Sequence, residues 1–175
     1  ISEAIEKNKH ETYLIHGITG SGKTRVYIEL IKEVVAKGKQ AIMLIPEIAL
    51  TYQTVKRFVN VFGDRVSVLN SKMSPGERYD QFLRASNGDI DVMIGPRSAI
   101  FTPFNNIGII VLDEEHEESY KNENTPCYDT REVAKFLTKK HNVPLVLASA
   151  TPSVKSYYMA QKGEYKLLKL TKRAT

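Results

Sequence analysis

Apolar residues along the chain fall into short continuous runs, and between those runs they recur every three to four positions. Tyr13-Leu14-Ile15-His16, Ala41-Ile42-Met43-Leu44-Ile45, Val66-Ser67-Val68-Leu69, Val92-Met93-Ile94, Ile109-Ile110-Val111-Leu112 and Leu145-Val146-Leu147 are runs of strand length. Continuous rather than alternating hydrophobicity marks strands covered on both faces, as in a parallel sheet flanked by helices. After the first run, Tyr27, Leu30, Ile31, Val34 and Val35 share one helical face, and Gly38 follows as a left-handed stop. Pro46 ends the second strand, and a helix is expected from there to Gly63. Ser74-Pro75-Gly76-Glu77 opens another helix with a capping serine, a first-turn proline and a reciprocal glutamate. Asp129 and Glu132 repeat that start signal before a helix to His141. Strands alternating with helices predict an α/β fold: a mostly parallel central sheet with helices on both faces.

Three polar motifs follow directly on predicted strands, where ligands bind in open parallel sheets. The first, Gly17-Ile18-Thr19-Gly20-Ser21-Gly22-Lys23-Thr24, has the full phosphate-loop spacing between a strand and a helix. Gly17, Thr19, Gly20, Ser21 and Gly22 let the backbone wrap the phosphates of ATP, aiming N–H groups and the positive helix end at them. Lys23 is placed to neutralise the β- and γ-phosphates, and the Thr24 hydroxyl to hold Mg²⁺.

The second motif is Asp113-Glu114-Glu115-His116. Asp113 suits the acid that holds magnesium, and Glu114 the group that polarises the attacking water. Glu115 reads as a neighbouring surface charge. His116 reads either as a polar relay to the third motif, Ser149-Ala150-Thr151, or as a hydrogen-bonded histidine under the sheet edge.

Length and charge set bounds around these motifs. A chain of 175 residues with 42% apolar content fits one domain. The net charge of +5 suits a polyanion partner without deciding for one. Cys127 is the single cysteine, so no internal disulfide and no cysteine-based zinc site is expected. No apolar run approaches the ~20 residues of a membrane span and no leader pattern opens the chain, so a cytoplasmic setting without membrane contact is expected. Ile1, Ala4 and Ile5 read as the end of an amphipathic helix entered midway, in a segment of something longer.

In this order, the phosphate loop, the acid box and the Ser-Ala-Thr tripeptide resemble helicase superfamily two. Nucleoside kinases lack the tripeptide, and the guanine-reading box of GTPases is not found. Pro46-Glu47-Ile48-Ala49-Leu50-Thr51, Arg97-Ser98-Ala99-Ile100-Phe101, Asp113 to Lys121 and Ala150-Thr151-Pro152-Ser153 narrow the likeness to the primosomal replication-restart DNA helicases. Two departures stand out. Arg25 occupies a position usually held by Glu. Pro126-Cys127-Tyr128-Asp129-Thr130-Arg131 stands where that family has a pattern close to Pro-Arg-Tyr-His-Ala-Arg, keeping only Tyr128 and Arg131 of its polar and aromatic signals.

The resemblance implies a RecA-like P-loop lobe over residues 1–170, with 171–175 beginning a linker to a second helicase lobe of the same parent chain. It implies ATP hydrolysis coupled to translocation on single-stranded and forked DNA, with primosome and single-strand-binding proteins as partners. Zinc is implied only for a part of the parent chain with no counterpart here. Thr51, Arg97 and Ser98 would line the DNA path, touching phosphates without reading sequence. Tyr120 and Tyr128 would stack on bases or report DNA occupancy to Glu114, or else pack against their own lobe. Another superfamily-two translocase, or a lobe that binds nucleotide and DNA with little turnover alone, is the alternative.

Overall fold

A computed structural model describes residues 1–173. Ala174 and Thr175, the end of the expected linker, lie outside the described residues. Seven strands form one sheet: β1 (Thr12–Gly17), β2 (Gln40–Leu44), β3 (Val66–Val68), β4 (Val92–Gly95), β5 (Ile107–Leu112), β8 (Leu145–Ser149) and β9 (Lys166–Leu170). Their order is β3-β4-β2-β5-β8-β1-β9, and every pairing is parallel. A two-stranded antiparallel ladder, β6 (Lys121–Asn122) with β7 (Tyr128–Asp129), stands apart from it.

Successive residues of the central strands feed opposite faces, which is why their sequences read as unbroken apolar runs. Leu14, Ile42, Leu44, Ile110, Leu112, Leu145 and Leu147 join one core cluster with Ala134 of α5 (Thr130–His141). Ile15, Ala41, Met43, Ile109, Val111, Val146 and Ala148 join the other. There they meet Tyr27, Ile28, Leu30, Ile31 and Val34 of α2 (Lys23–Ala36), and Ile5 of the short α1 (Ser2–Glu6). The apolar face of α2 is thus close to expectation, with Ile28 buried and Val35 only partly so.

Several local expectations need correction. The helix expected after Pro46 is delayed: a 3₁₀ turn covers Glu47–Ala49, and α3 runs over Tyr52–Phe62. Thr51 is extended, and its hydroxyl caps α3 by accepting the Thr54 N–H at 3.3 Å. The capping box at Ser74 does form at the head of α4 (Pro75–Ser86). At α5 only half of the second box forms. Asp129 accepts the Arg131 N–H, while the Glu132 carboxylate is drawn to Lys135 and Lys155 instead. α6 (Val154–Gln161) and the edge strand β9 lie outside the elements expected from sequence; Lys166 and Lys169 put charge on that edge. Among the described residues no helix is long and apolar enough to cross a membrane.

Candidate active site

The parallel sheet brings the carboxyl ends of its strands to one edge. His16 of β1 pairs with Ser149 of β8, Leu147 of β8 with Leu112 of β5, and Leu112 with Leu44 of β2. The phosphate loop, the acid box and the tripeptide, which continue from β1, β5 and β8, therefore meet at that edge, as expected from sequence.

The loop has no slack at its first glycine. A Cβ on Gly17 would lie 2.7 Å from Ser21 Oγ and 3.2 Å from both Lys23 Cγ and Leu170 Cβ. Gly20 and Gly22 have φ of 79° and 85°, which a residue without Cβ adopts at little cost, and Gly22 turns the chain straight into α2. Thr19 and Gly20 are exposed at the tip, and Thr24 is half-buried in the first turn of α2. The opening N–H groups of a helix have no acceptor within it. Ser21 Oγ is buried without a hydrogen-bond partner among the described residues. Unsatisfied donors around a positive helix end are the chemistry of an anion cradle.

Lys23 closes the cradle. Its ammonium donates to the Gly17 carbonyl at 2.8 Å and lies 3.9 Å from Glu114 Oε1. Burial raises the Asp113 carboxyl above its ordinary value, opposed by a hydrogen bond from the Tyr27 hydroxyl at 2.8 Å and by the charge of Lys23. Glu114 is raised as well, first by burial and then by the charge of Asp113. Two adjacent, partly buried carboxyl groups are groups that a cation would favour in their charged form. Glu114 also has φ of 47°, a left-handed conformation unusual for a side chain of its size.

His116 Nδ1 and Ser149 Oγ lie 2.6 Å apart, and Ser149 Oγ accepts the Thr151 N–H at 2.9 Å. Glu114 Oε2 is 3.6 Å from the same imidazole nitrogen. Glu114, His116, Ser149 and Thr151 thus form one polar chain from acid box to tripeptide, the geometry of the relay reading. Thr151 itself is exposed.

A second cleft, of about 410 Å³, opens beside this edge and is lined by Arg97, Ser98, Ser119, Tyr120, Asn122 and Tyr128, among others. Arg97 Nη1 donates to the carbonyls of Ser119 and Lys121 at 3.3 and 2.9 Å, so the guanidinium tethers the chain on either side of Tyr120. Ser98 Oγ accepts from Arg78 at 3.4 Å. Tyr128 packs edge-on against Phe101, with ring centroids 5.0 Å apart. Thr51 is exposed at the head of α3 and does not line this cleft.

Tyr120 corrects one expectation, stacking on a base, in favour of its alternative, packing within the lobe. It is 1% exposed, so its ring is not a surface platform for a base; its hydroxyl donates to the Asp113 carbonyl and lies 3.2 Å from that of Leu44. Glu115 corrects another. Far from being a surface charge it is fully buried, and both its oxygens accept hydrogen bonds from the start of α6.

Residues 1–160 match the family described as DEAD/DEAH box helicase. The chain belongs to that family. Among curated proteins it is 49% identical to the replication restart protein PriA of Bacillus subtilis over 173 residues, covering 99% of this chain and 22% of that protein. The PriA of Chlamydia trachomatis is 46% identical over 176 residues, covering 100% of this chain and 23% of the relative. The chain therefore spans about a quarter of the length of the curated relatives it matches. Among solved structures, RecG bound to a three-way DNA junction superposes with a TM-score of 0.64 at 26% identity, over 96% of this chain and 21% of that one. The fold is the RecA-like one of helicase lobes.

Within this helicase lobe, two features that hold the acid box, the Tyr27 hydroxyl and the burial of Glu115, carry no direct signal in the sequence. Tyr27 was legible only as a core position of α2, since a tyrosine at helical spacing gives no sign that its hydroxyl reaches Asp113. The burial of Glu115 could have been suspected from Ser153 and Ser156, two short donors spaced as a helix start, but nothing local says which acid they receive.

Proposed function

We propose that this lobe binds ATP with magnesium and hydrolyses it as one half of a DNA helicase motor acting at stalled replication forks. The observation that carries the reading is the Lys23 ammonium standing between the Gly17 carbonyl and the Glu114 carboxylate, 2.8 and 3.9 Å away. It joins a phosphate cradle to a candidate base in a single site. The orphaned Ser21 hydroxyl, the free N–H groups at the head of α2 and the crowded carboxyls fit a nucleotide–magnesium pair.

In this reading the backbone of Gly20 to Thr24 and the Lys23 ammonium bind the β- and γ-phosphates, and Thr24 and Asp113 hold the metal. Magnesium, when bound, neutralises charge on the phosphate oxygens. Glu114 would orient the attacking water and accept its proton as the new P–O bond forms, while the bridging bond from the γ-phosphorus to the β-phosphate oxygen breaks and ADP leaves. Its raised carboxyl matches that task, since a base works best when its affinity for protons is not far below the operating pH. His116 and Ser149 carry the resulting change to Thr151, where the tripeptide faces whatever moves in the cycle.

Similarity to PriA, together with the RecG likeness, supports single-stranded and forked DNA as the track. Arg97 and Ser98 would grip phosphates beside the cleft, Thr51 at the head of α3, and Tyr128 with Phe101 would offer aromatic surface to a base. By the same likeness, residues 171–175 would begin the connection to a second lobe, and primosome and single-strand-binding proteins would be partners in a cytoplasmic setting. The test is ATP turnover and strand separation by the full-length protein on forked DNA, linear duplex and RNA duplex. Preference for forked DNA with DNA-stimulated turnover is expected; equal unwinding of RNA, or turnover blind to DNA, would point to a different translocase.

A further inference from the structure

Glu115 separates Glu114 from His116, the two residues assigned to chemistry and relay, and it is 0% exposed. Its carboxylate accepts three donors, all from the segment just beyond the tripeptide. They are the Ser153 N–H at 2.7 Å, the Ser153 hydroxyl at 3.2 Å and the Ser156 hydroxyl at 2.9 Å. The main chain of Glu115 is held as well. Its N–H donates to the Ala148 carbonyl of β8 at 3.0 Å. Its carbonyl accepts from Arg131 Nη1 at 2.9 Å, and that guanidinium is paired with Asp129 at the head of α5. Strand β8 and the starts of α5 and α6 all converge on this one residue.

The preceding residue needs such anchoring. Glu114 sits at φ 47°, and a side chain held in the left-handed region stays there only where the surroundings over-determine it. On one side, the Asp113 N–H is fixed to the Leu44 carbonyl at 2.9 Å. The side chain of Glu114 adds little restraint, with its nearest charged neighbours, Lys23 and His116, at 3.9 and 3.6 Å. What remains is the Glu114 carbonyl, which accepts the Glu117 N–H at 3.0 Å, and the anchored Glu115. We infer that Glu115 is a positioning residue for hydrolysis: by clamping the acid box to the starts of α5 and α6, it holds Glu114 in its left-handed turn toward the phosphate loop. The same clamp fixes the tripeptide segment against His116. The inference rests on the proposed hydrolytic role of Glu114.

The experiment compares Glu115→Ala, Glu115→Gln and the double variant Ser153→Ala/Ser156→Ala in the full-length protein. It measures steady-state ATP hydrolysis and the affinity for a non-hydrolysable ATP analogue. Glutamine still accepts from the Ser153 N–H and can donate to the two hydroxyls, so it preserves the clamp; alanine abolishes it. Glu115→Ala should lower kcat at least tenfold while KM and analogue affinity stay within threefold, and Glu115→Gln should recover most of the loss. The double serine variant, which leaves the acid box untouched, should fall between them and serves if the alanine variant does not fold. A residue that only supports the fold would reduce turnover and binding together, through the fraction of folded protein. Such a matched loss, or full kcat in Glu115→Ala or in the serine variant, overturns the inference. Lys23→Ala, measured alongside, separates the two ways of failing. Turnover that survives Lys23→Ala overturns the hydrolytic reading itself; turnover abolished there but intact in Glu115→Ala overturns only the clamp.

Discussion

The Tyr27 hydroxyl donates to Asp113 Oδ1 at 2.8 Å, so the helix that follows the phosphate loop also holds the first acid of the box. Burial raises the Asp113 carboxyl, and this hydrogen bond is the largest influence drawing it back down. Tyr27→Phe keeps the ring and removes the donor, leaving Asp113 harder to ionise. Magnesium-dependent nucleotide affinity should fall roughly tenfold at pH 7, the equivalent of about 1.4 kcal/mol for a hydrogen bond to a charged group, and further at pH 6. Calorimetric titration at both pH values checks this; equal affinities for variant and parent would show that the bond does not support the proposed metal site.

The crowded acids also bear on stability. For Asp113 and Glu114 the folded-state carboxyl is raised above its unfolded value. Each therefore favours the folded state below its unfolded pKa, and that contribution is lost as pH rises through the folded pKa. The charged form of each therefore carries a cost in the folded lobe. Asp113→Asn should raise the melting temperature at pH 7 by about 2–4 °C for each kcal/mol relieved, with the gain shrinking toward pH 4. A melting temperature lowered at pH 7 would mean that the carboxylate is structurally required.

Tyr120 and Tyr128 should now behave differently from each other. Tyr120 is buried and bonded to the Asp113 carbonyl, so Tyr120→Ala should cost about 3–5 kcal/mol as an aromatic cavity and depress basal and DNA-stimulated turnover together. Tyr128 is only half-buried against Phe101. Tyr128→Ala should leave the melting temperature and basal rate near those of the parent and weaken stimulation by single-stranded DNA. Equal effects of the two substitutions on thermal stability would argue against this division.

At the far end of the sheet, Glu11 binds Lys166 of β9, Lys9 and the Tyr13 hydroxyl, and these hold its carboxyl down to about 2. Because that value is depressed, the stabilisation is present above the ordinary carboxylate range and lost as pH falls toward 2. Lys166→Ala should therefore lower the melting temperature at pH 7 and make less difference as pH approaches 2. A constant difference across that range would assign the effect to lost packing of the lysine stem.

The sheet was legible because continuous apolar runs such as Ala41 to Ile45 have few other uses, and the phosphate loop because its spacing is rarely met by chance. The start of α4 was equally plain, since capping by Ser74 and Glu77 is local. Sequence failed where a side chain had a choice of partners. Glu132 was expected to cap α5 and instead pairs with lysines, one of them from α6. Glu115 reads from its polarity as a surface charge, and Tyr120 by resemblance as a base platform or a packed side chain; both are buried, with hydrogen bonds to distant elements. β9, Lys166-Leu167-Leu168-Lys169-Leu170, has neither a continuous apolar run nor strict alternation, so its sequence gives no strand period.

The proposed mechanism has Lys23 bind nucleotide and Glu114 activate water at one site. It is tested most directly by pairing Lys23→Ala with Glu114→Gln in the full-length protein and measuring, for each, ATP affinity by calorimetry and phosphate release at saturating DNA. Lys23→Ala should lose nucleotide binding with the fold intact. Glu114→Gln should bind ATP and magnesium within about threefold of the parent, while phosphate release falls by the 10² to 10⁴ typical of a lost general base. Glu114→Gln turning over at the parent rate, or Lys23→Ala binding ATP as tightly as the parent, would contradict it.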